Sequence, residues 1–313
     1  MKQGTVIKVL GIGGAGNNAI DRMVQARIRG VELIALNTDA QDLKKVRAHA
    51  KIRMGKESTK GLGAGMNPEL GRKAAMESKE DLALVLEGAD MVFLAAGLGG
   101  GTGGGAIAPI AEMAKARGIL SVAVVTKPFS FEGSWRARLA ERALEGLRGK
   151  VDTLLVIEND QILKLASEET TVLSAFWQAD EVLRQAVQGI SDLIVVPGII
   201  NVDFADVKSV MGNAGQAVFG VGLAKGEQRI EQAVQAALHS PLLNMSIQGG
   251  SAVLLNVAGD ASLSLSEVNE AAKMVREKLA HGATIIFGAV HEKALKPGEV
   301  KITLIATGFK KKR

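Results

Sequence analysis

The sequence contains no cysteine and no tyrosine, only four histidines, and just 3% aromatic residues. Without cysteine, disulfide frameworks, thiolate zinc sites and a cysteine nucleophile are excluded. The histidines are His49, His239, His281 and His291. None stands in an HxH, HxxxH or HExxH spacing, so we interpret them as surface or structural residues rather than metal ligands. Aromatic residues are not interleaved with basic ones as a nucleic-acid platform requires, so we expect no nucleic-acid partner.

The composition is otherwise that of a globular protein. Its 313 residues are 47% apolar and 23% charged, which leaves room for two domains with buried cores. The N-terminus has no signal-peptide pattern, and the uncharged stretch Met91–Ala111 is too rich in glycine for a membrane span, so we expect a cytoplasmic protein. The net charge of +5 owes much to the closing run Lys310-Lys311-Lys312-Arg313, whose direct contact with an anionic membrane is a hypothesis.

Short runs rich in Val, Ile and Leu alternate with helical stretches through the first 200 residues, which is typical of βαβ units and a mostly parallel sheet. The predicted strands are Val6–Leu10, Leu33–Leu36, Lys51–Met54, Met91–Ala95, Leu120–Val125 and Thr153–Ile157. Most of them are too apolar to have one face in water. We therefore expect helices on both faces of the sheet.

A long helical pattern from Leu173 to Ile190 predicts a buried central helix. Its broad apolar face consists of Leu173, Phe176, Trp177, Val182, Leu183, Val187 and Ile190. From Gly215 the predicted order is strand, helix, strand, helix, strand, strand. The predicted elements there include strands Ala252–Val257, Thr284–Val290 and Val300–Ala306 and helices Ile230–Leu238 and Leu265–Leu279. The sequence thus predicts a second α/β domain that starts near residue 210.

Two glycine clusters follow predicted strands. The first, Gly11–Gly16, matches G-x-G-x-x-G and opens a helix, so its backbone amides would face a phosphate. An acidic residue, Asp39, follows at the end of the second strand, so this cluster alone is also compatible with an NAD-dependent oxidoreductase. The second, Gly97–Gly105, surrounds Thr102 and predicts a backbone concavity with a hydroxyl for a phosphate or a hydrated Mg²⁺. Two such loops favour a triphosphate ligand. The alternative, that the second cluster is a flexible linker, is disfavoured because the cluster lies inside a βα unit.

The second cluster resembles the signature GGGTG[ST]G of the tubulin/FtsZ superfamily, and further segments resemble its bacterial cell-division branch. These segments are Ala35–Gln41, Gly61–Gly65, Thr126–Gly133 and Asn201–Val207. The resemblance implies a tubulin/FtsZ fold of the α/β class. In this fold, a Rossmann-like GTP-binding domain with a mostly parallel sheet covers residues 1–172. A central helix and synergy loop follow at 173–209, a smaller α/β domain at 210–309 and a basic tail at 310–313.

The resemblance also implies GTP and GDP as ligands, with Mg²⁺ held through the phosphates and Thr102 as the one candidate protein ligand. The phosphates are expected at Gly14, Ala15, Gly16, Asn17, Asn18, Gly101, Thr102 and Gly103, the sugar at Glu132 and Arg136, and further nucleotide contacts at Asn37 and Asn159. Phe176 would stack on the base, and Asp180 would accept the guanine N1 and N2 hydrogens. Because adenine offers no N1 hydrogen, GTP should be preferred over ATP.

A further acidic segment contains Asn201, Asp203 and Asp206. By themselves, two carboxylates three residues apart at a helix start predict an N-cap and a first-turn charge. The resemblance implies instead a loop that enters the nucleotide site of the next subunit, where both aspartates act on the attacking water and Asn201 orients the phosphate end. A head-to-tail contact that does not close builds a filament. The implied function is an assembly-dependent GTPase of the division ring, with membrane-anchor and regulator proteins as partners.

Three positions depart from the superfamily pattern. Ala15 replaces a common glycine, which is tolerated if its φ is negative. Gly104 replaces the second hydroxyl of the signature, and Trp135 stands where small or basic residues are usual. The alternative function is a GTP-binding, filament-forming paralogue with little hydrolysis, against which Asp203 and Asp206 argue. An NAD-dependent oxidoreductase is weaker still, because it leaves the second glycine cluster unexplained.

Overall fold

The computed structural model describes residues 4–163, 170–240, 246–292 and 295–309. The chain divides into two units, with the boundary between Gln188 and Gly189 inside one long helix. The basic run 310–313 lies outside the described residues, so its contact with a membrane stays a hypothesis. In the ranges that the structure describes, no helix is long and apolar enough to cross a bilayer.

A parallel sheet forms the centre of the first unit. Its strands are β1 (Ile7–Ile12), β2 (Val31–Asn37), β3 (Ala50–Arg53), β4 (Met91–Gly97), β5 (Leu120–Lys127) and β6 (Thr153–Glu158). They lie in the order β3-β2-β1-β4-β5-β6, and neighbouring strands run parallel. The six strands predicted from apolar runs are confirmed, with ends that shift by at most two residues.

Helices alternate with these strands along the chain. They are α1 (Gly13–Gln25), α2 (Ala40–Lys45), α3 (Pro68–Glu77), α4 (Lys79–Leu86), α5 (Gly101–Lys115), α6 (Ser134–Leu147), α7 (Asn159–Leu163) and α8 (Val172–Val195), with a 3-10 turn at Ser130–Glu132. Alternate strand residues enter two cores. Leu10 and Leu94 pack with residues of α3 and α5, whereas Val9 and Phe93 are buried on the opposite face, and α1 packs on β1, β2 and β4. Helices thus cover both faces, as predicted.

The two glycine clusters are shorter as loops than the sequence predicts. β1 passes directly into α1 at Gly13, whose φ of +73° favours glycine. The prediction that Gly97–Gly105 is a loop throughout is wrong, because residues 101–105 form the first turns of α5. Close packing explains the glycines there: a Cβ on Gly105 would lie 2.0 Å from the Pro68 carbonyl oxygen, and one on Gly71 2.1 Å from the Gly101 oxygen. Glycine therefore lets α3 and α5 approach each other.

The second unit contains a mixed sheet and its covering helices. Its elements are α9 (Phe204–Met211), β7 (Gly215–Lys225), α10 (Arg229–Leu238), β8 (Ala252–Gly259), α11 (Leu265–Arg276), β9 (Thr284–His291) and β10 (Glu299–Thr307). The strand order is β7-β10-β8-β9, in which β8 and β9 are parallel and the other two pairs antiparallel. Residues of α10 and α11 pack against the sheet in a common core. The element order predicted from Gly215 is confirmed, although α11 ends before the predicted Leu279.

The long helix predicted from Leu173 is confirmed as α8, but its first turns are not buried. The predicted apolar residues Val182, Leu183, Val187 and Ile190 are buried. Leu173, Phe176 and Trp177 are 81%, 39% and 49% exposed, so the prediction that they belong to a buried face is wrong. The helical period of apolar residues marks one face along the whole helix, and it does not tell which turns of that face enter a core.

Candidate functional site

A cavity of about 460 Å³ lies in the first unit, at the carboxyl ends of β1 and β4. These neighbouring strands continue into α1 and α5, which pack on opposite faces of the sheet. Such a switch point is where open parallel sheets bind ligands. Most of the predicted nucleotide-binding residues line this cavity: Gly14, Ala15, Asn37, Gly101, Thr102, Gly103, Glu132, Arg136, Asn159, Phe176 and Asp180.

Three of the predicted phosphate-binding residues do not line this cavity. Gly16 is packed against the sheet, since a Cβ there would lie 2.3 Å from the Ala95 carbonyl oxygen. The amide of Asn17 is buried within hydrogen-bond distance of the Gly11 carbonyl oxygen and of the Asn37 amide, which is a structural position. Asn17 and Asn18 line an adjoining cavity of about 530 Å³, which shares Gly14, Asp42, Phe176 and Asp180 with the first.

The N-termini of α1 and α5 meet at the cavity, where the Gly101 amide of α5 already donates to the Gly65 carbonyl oxygen. Their N-cap residues, Ile12 and Gly100, provide no side-chain cap, and neither helix has an acidic residue in its first turn. Gly14 and Ala15 of α1 and residues 101–103 of α5 line the cavity. The other first-turn N–H groups have no partner within their helices, and at the positive ends of two helix dipoles they form an anion-binding arrangement.

The departures noted in the sequence are compatible with this geometry. Ala15 is not among the residues with positive φ, so its methyl group is tolerated. A Cβ on Gly104 would lie 3.5 Å from the Ala143 Cβ, an ordinary contact, so packing does not exclude a side chain there. Trp135 is not among the residues that line the cavity, and its ring is covered by the guanidinium of Arg138 at 5.2 Å.

The aromatic ring of Phe176 and the buried amide of Asn159 also line the cavity. The ring of Phe176 meets Phe129 and Phe131 edge-on, with centroid distances of 5.2 and 6.2 Å. Asn159 is 5% exposed, and its Oδ1 has no hydrogen-bond partner in the described part of the chain. Because buried acceptors are almost always paired, this orphaned oxygen fits a ligand that donates a hydrogen bond into the cavity.

A buried carboxylate, that of Asp180, also lines the cavity. Asp180 is 7% exposed, and burial raises its pKa to about 6 against the opposing charge of Arg22. Arg22 Nε and Nη2 each lie 3.4 Å from Asp180 Oδ2, and the guanidinium lies 4.9 Å from the Trp177 ring centroid. Asp180 is therefore ionised at neutral pH and can accept donors such as guanine N1–H and N2–H. Sequence reasoning missed Arg22, although it lies one turn after Asn18 on α1.

Charge in the cavity is mostly negative. Glu132 binds Arg136 at 2.9 Å and also accepts a hydrogen bond from the Phe129 amide. The charged lining residues are Asp39, Asp42, Glu132, Asp180 and Arg136. Because carboxylates outnumber guanidinium groups in the lining, a polyphosphate fits the cavity best when a cation neutralises the polyphosphate charge. Across the described ranges no three His, Asp or Glu side chains cluster as a metal site.

The predicted catalytic residues lie in the second unit. Asn201, Asp203 and Asp206 are all exposed. Asp203 occupies the N-cap position of α9, but its carboxylate makes no cap hydrogen bond, so the capping role predicted from spacing is wrong. Asp206 lies in the first turn as expected, and Asn201 accepts a hydrogen bond from the Gly198 amide at 2.7 Å. Their action on the nucleotide of another copy stays a prediction.

Both units of the chain are similar to known proteins. Residues 6–167 match the model "Tubulin/FtsZ family, GTPase domain", and residues 215–310 match "FtsZ family, C-terminal domain". The chain is similar to an FtsZ dimer from M. jannaschii, with 44% identity, coverage of 98% of this chain and 89% of that one, and a TM-score of 0.94. It also resembles, at the level of fold, the GTPγS-bound protofilament of CetZ2 from Haloferax volcanii, with 20% identity, 98% and 94% coverage and a TM-score of 0.81.

Proposed function

Because this chain belongs to the tubulin/FtsZ family, we propose that it binds Mg²⁺–GTP in the first-unit cavity and hydrolyses it when a second copy completes the site. The family is one of GTPases, so GTP and GDP are the nucleotides of this chain, and an NAD-dependent oxidoreductase is no longer supported. The finer statements, which concern assembly, the metal and the roles of individual residues, are proposals.

Nucleotide binding is supported above all by the two uncapped helix N-termini that meet at one cavity. In the proposed complex, α1 and α5 hold the phosphates through backbone N–H groups, and Glu132 and Arg136 hold the sugar. Phe176 stacks on the base, while Asp180 and Asn159 bond its polar edge. Mg²⁺, when bound to the phosphates, supplies the positive charge that the carboxylate-rich lining lacks.

Hydrolysis is proposed to use acidic residues from a neighbouring copy. The carboxylates of Asp203 and Asp206 are exposed, and that of Asp203 is free of a capping bond, so both are available to act outside their own chain. They would position a water whose oxygen attacks the γ-phosphorus. The bond from that phosphorus to the β–γ bridging oxygen then breaks, releasing GDP and phosphate, and catalysis rests on positioning and charge stabilisation without a covalent intermediate.

Repetition of this contact would produce a head-to-tail filament, since a heterologous interface that does not close propagates. A relative with 44% identity is described as an FtsZ dimer, which supports self-association of this chain. On this basis we place the protein in the cytoplasm at the division site, with membrane-anchor and regulator proteins as further partners.

A mixing experiment tests the shared site. Asp206→Ala keeps the nucleotide pocket but lacks the acid, whereas Asp180→Ala keeps the acids but lacks the base-reading carboxylate. We expect each variant alone to release little phosphate from GTP and an equimolar mixture to recover activity, because one copy supplies the pocket and the other the acid. A mixture as inactive as its components, with Asp206→Ala still binding GTP, would contradict a site shared between copies.

A further inference from the structure

Two threonine hydroxyls form a short contact beside the phosphate end of the cavity. Thr38 directly follows β2 and is fully buried, and Thr102 is the second residue of α5. Their Oγ1 atoms lie 2.6 Å apart. Thr102 lines the cavity, whereas Thr38 is not among the lining residues and lies behind it. Thr38 is thus placed to act on a ligand only through Thr102.

Burial determines which hydroxyl donates in this pair. In the ranges that the structure describes, the Thr38 hydroxyl has Thr102 as its only hydrogen-bond partner. If Thr102 donated, the proton of Thr38 would be buried without an acceptor, which costs the desolvation of that group. The lower-energy arrangement therefore has Thr38 donating and Thr102 accepting. The proton of Thr102 is then free to point into the cavity, toward an anionic oxygen.

The backbone around Thr38 fixes this arrangement. The Thr38 amide donates to Asn37 Oδ1 at 2.9 Å, and its carbonyl oxygen accepts from the Gly63 amide at 3.2 Å and from Thr59 Oγ1 at 3.2 Å. On the other side, the Gly101 amide donates to the Gly65 carbonyl oxygen at 2.8 Å. Both partners of the hydroxyl pair are consequently held by hydrogen bonds that do not depend on a ligand.

We propose that Thr38 is a positioning residue, whose hydroxyl orients the Thr102 hydroxyl as a hydrogen-bond donor to a nucleotide phosphate. This inference rests on the proposed GTP site. It assigns Thr102 a phosphate oxygen as its partner. It also predicts that loss of the Thr38 hydroxyl weakens the binding of nucleotides that carry phosphates and leaves the binding of guanosine unchanged, because the proposed base contacts belong to other residues, Phe176, Asp180 and Asn159.

The test compares Thr38→Val, which has nearly the same shape without the hydroxyl, with Thr38→Ser, which keeps it. Affinities for GTP and guanosine are measured by calorimetry on nucleotide-free protein with Mg²⁺ present, and folding is checked by thermal unfolding. We expect Thr38→Val to weaken GTP binding about three- to tenfold, the range of one net hydrogen bond. Guanosine binding should not change, and Thr38→Ser should bind GTP like the parent protein.

A double-mutant cycle separates orientation from general structural damage. Thr102→Val removes the donor itself, so Thr38→Val should weaken GTP binding no further in that background. Additive losses, equal weakening of GTP and guanosine, or unchanged GTP affinity in Thr38→Val would each overturn the positioning role. A parent protein that binds no GTP would instead refute the proposed function, and this inference with it.

Discussion

Asp180 links the stability of the first unit to its function, and the substitution Asp180→Asn separates the two. Burial raises its pKa from 3.8 to about 6, so at 1.36 kcal/mol per pKa unit the ionised carboxylate costs the folded state about 3 kcal/mol. For an acid with a raised pKa, the extra stability is present below pH 3.8 and is lost as the pH rises through about 6. Asparagine removes this dependence while keeping the shape of the side chain.

We therefore expect nucleotide-free Asp180→Asn to be more stable than the parent protein above pH 6, by up to about 3 kcal/mol, since the pKa of about 6 already includes the attraction of Arg22. Below pH 4 the difference should vanish. Both tryptophans of the chain, Trp135 and Trp177, precede the boundary at residue 188. Their fluorescence during urea unfolding thus reports on the first unit.

GTP should bind the parent protein more tightly than Asp180→Asn, the reverse of the difference in stability. If guanine binds the ionised carboxylate, the affinity of the parent protein falls about tenfold for each pH unit below 6, as the ionised fraction falls. Asp180→Asn should bind GTP about 10- to 100-fold more weakly at pH 7, because a donor is left facing an amide. Calorimetric titrations from pH 7.5 to 5 measure both, and the titration of the GTP phosphates cancels between the two proteins. Equal pH dependence in parent and variant would refute the role of Asp180 in base recognition.

The remaining predictions concern catalysis and packing. Asp206→Ala should bind GTP within about twofold of the parent in calorimetry yet release almost no phosphate, as expected for a group that acts only on the attacking water; comparable turnover would contradict this. Gly16→Ala should lower the free energy of unfolding of the first unit in urea by about 2 kcal/mol or more, because the new Cβ would lie 2.3 Å from a carbonyl oxygen. Gly14→Ala is the control: no atom of another segment lies within 4 Å of its Cβ, so its free energy of unfolding should stay within about 1 kcal/mol of the parent value. Arg229→Met, which leaves Glu267 without its 2.6 Å partner, should lower the urea midpoint of the second unit, measured by circular dichroism.

The parts of the structure encoded locally could be predicted from sequence. The strands of the parallel sheet follow from apolar runs, and the helix N-termini at the cavity follow from glycines placed directly after strands. The helical state of residues 101–105 could not be predicted in this way, because glycine disfavours helix and the close contacts that require glycine there come from other segments, α3 among them. The exposure of Leu173 and Trp177 likewise depends on what surrounds α8, which the periodicity of the sequence does not contain.

Contacts between distant segments were missed for a related reason. Arg22 and Asp180 are 158 positions apart, and Thr38 and Thr102 are 64 apart. The fold brings the members of each pair together, and the sequence does indicate that Thr38 and Thr102 follow strands. Which side chains face each other there is decided by packing, so neither Arg22 nor Thr38 was predicted to belong to the site.

Assembly-dependent hydrolysis is most directly tested by phosphate release from GTP over a range of protein concentrations, with light scattering recorded on the same samples and ATP as the control nucleotide. If the acids of one copy act on the nucleotide of the next, specific activity should rise from near zero above a threshold concentration, together with scattering, and ATP should support neither. Activity that is independent of protein concentration, or filaments that form without hydrolysis, would contradict a site completed by a second copy.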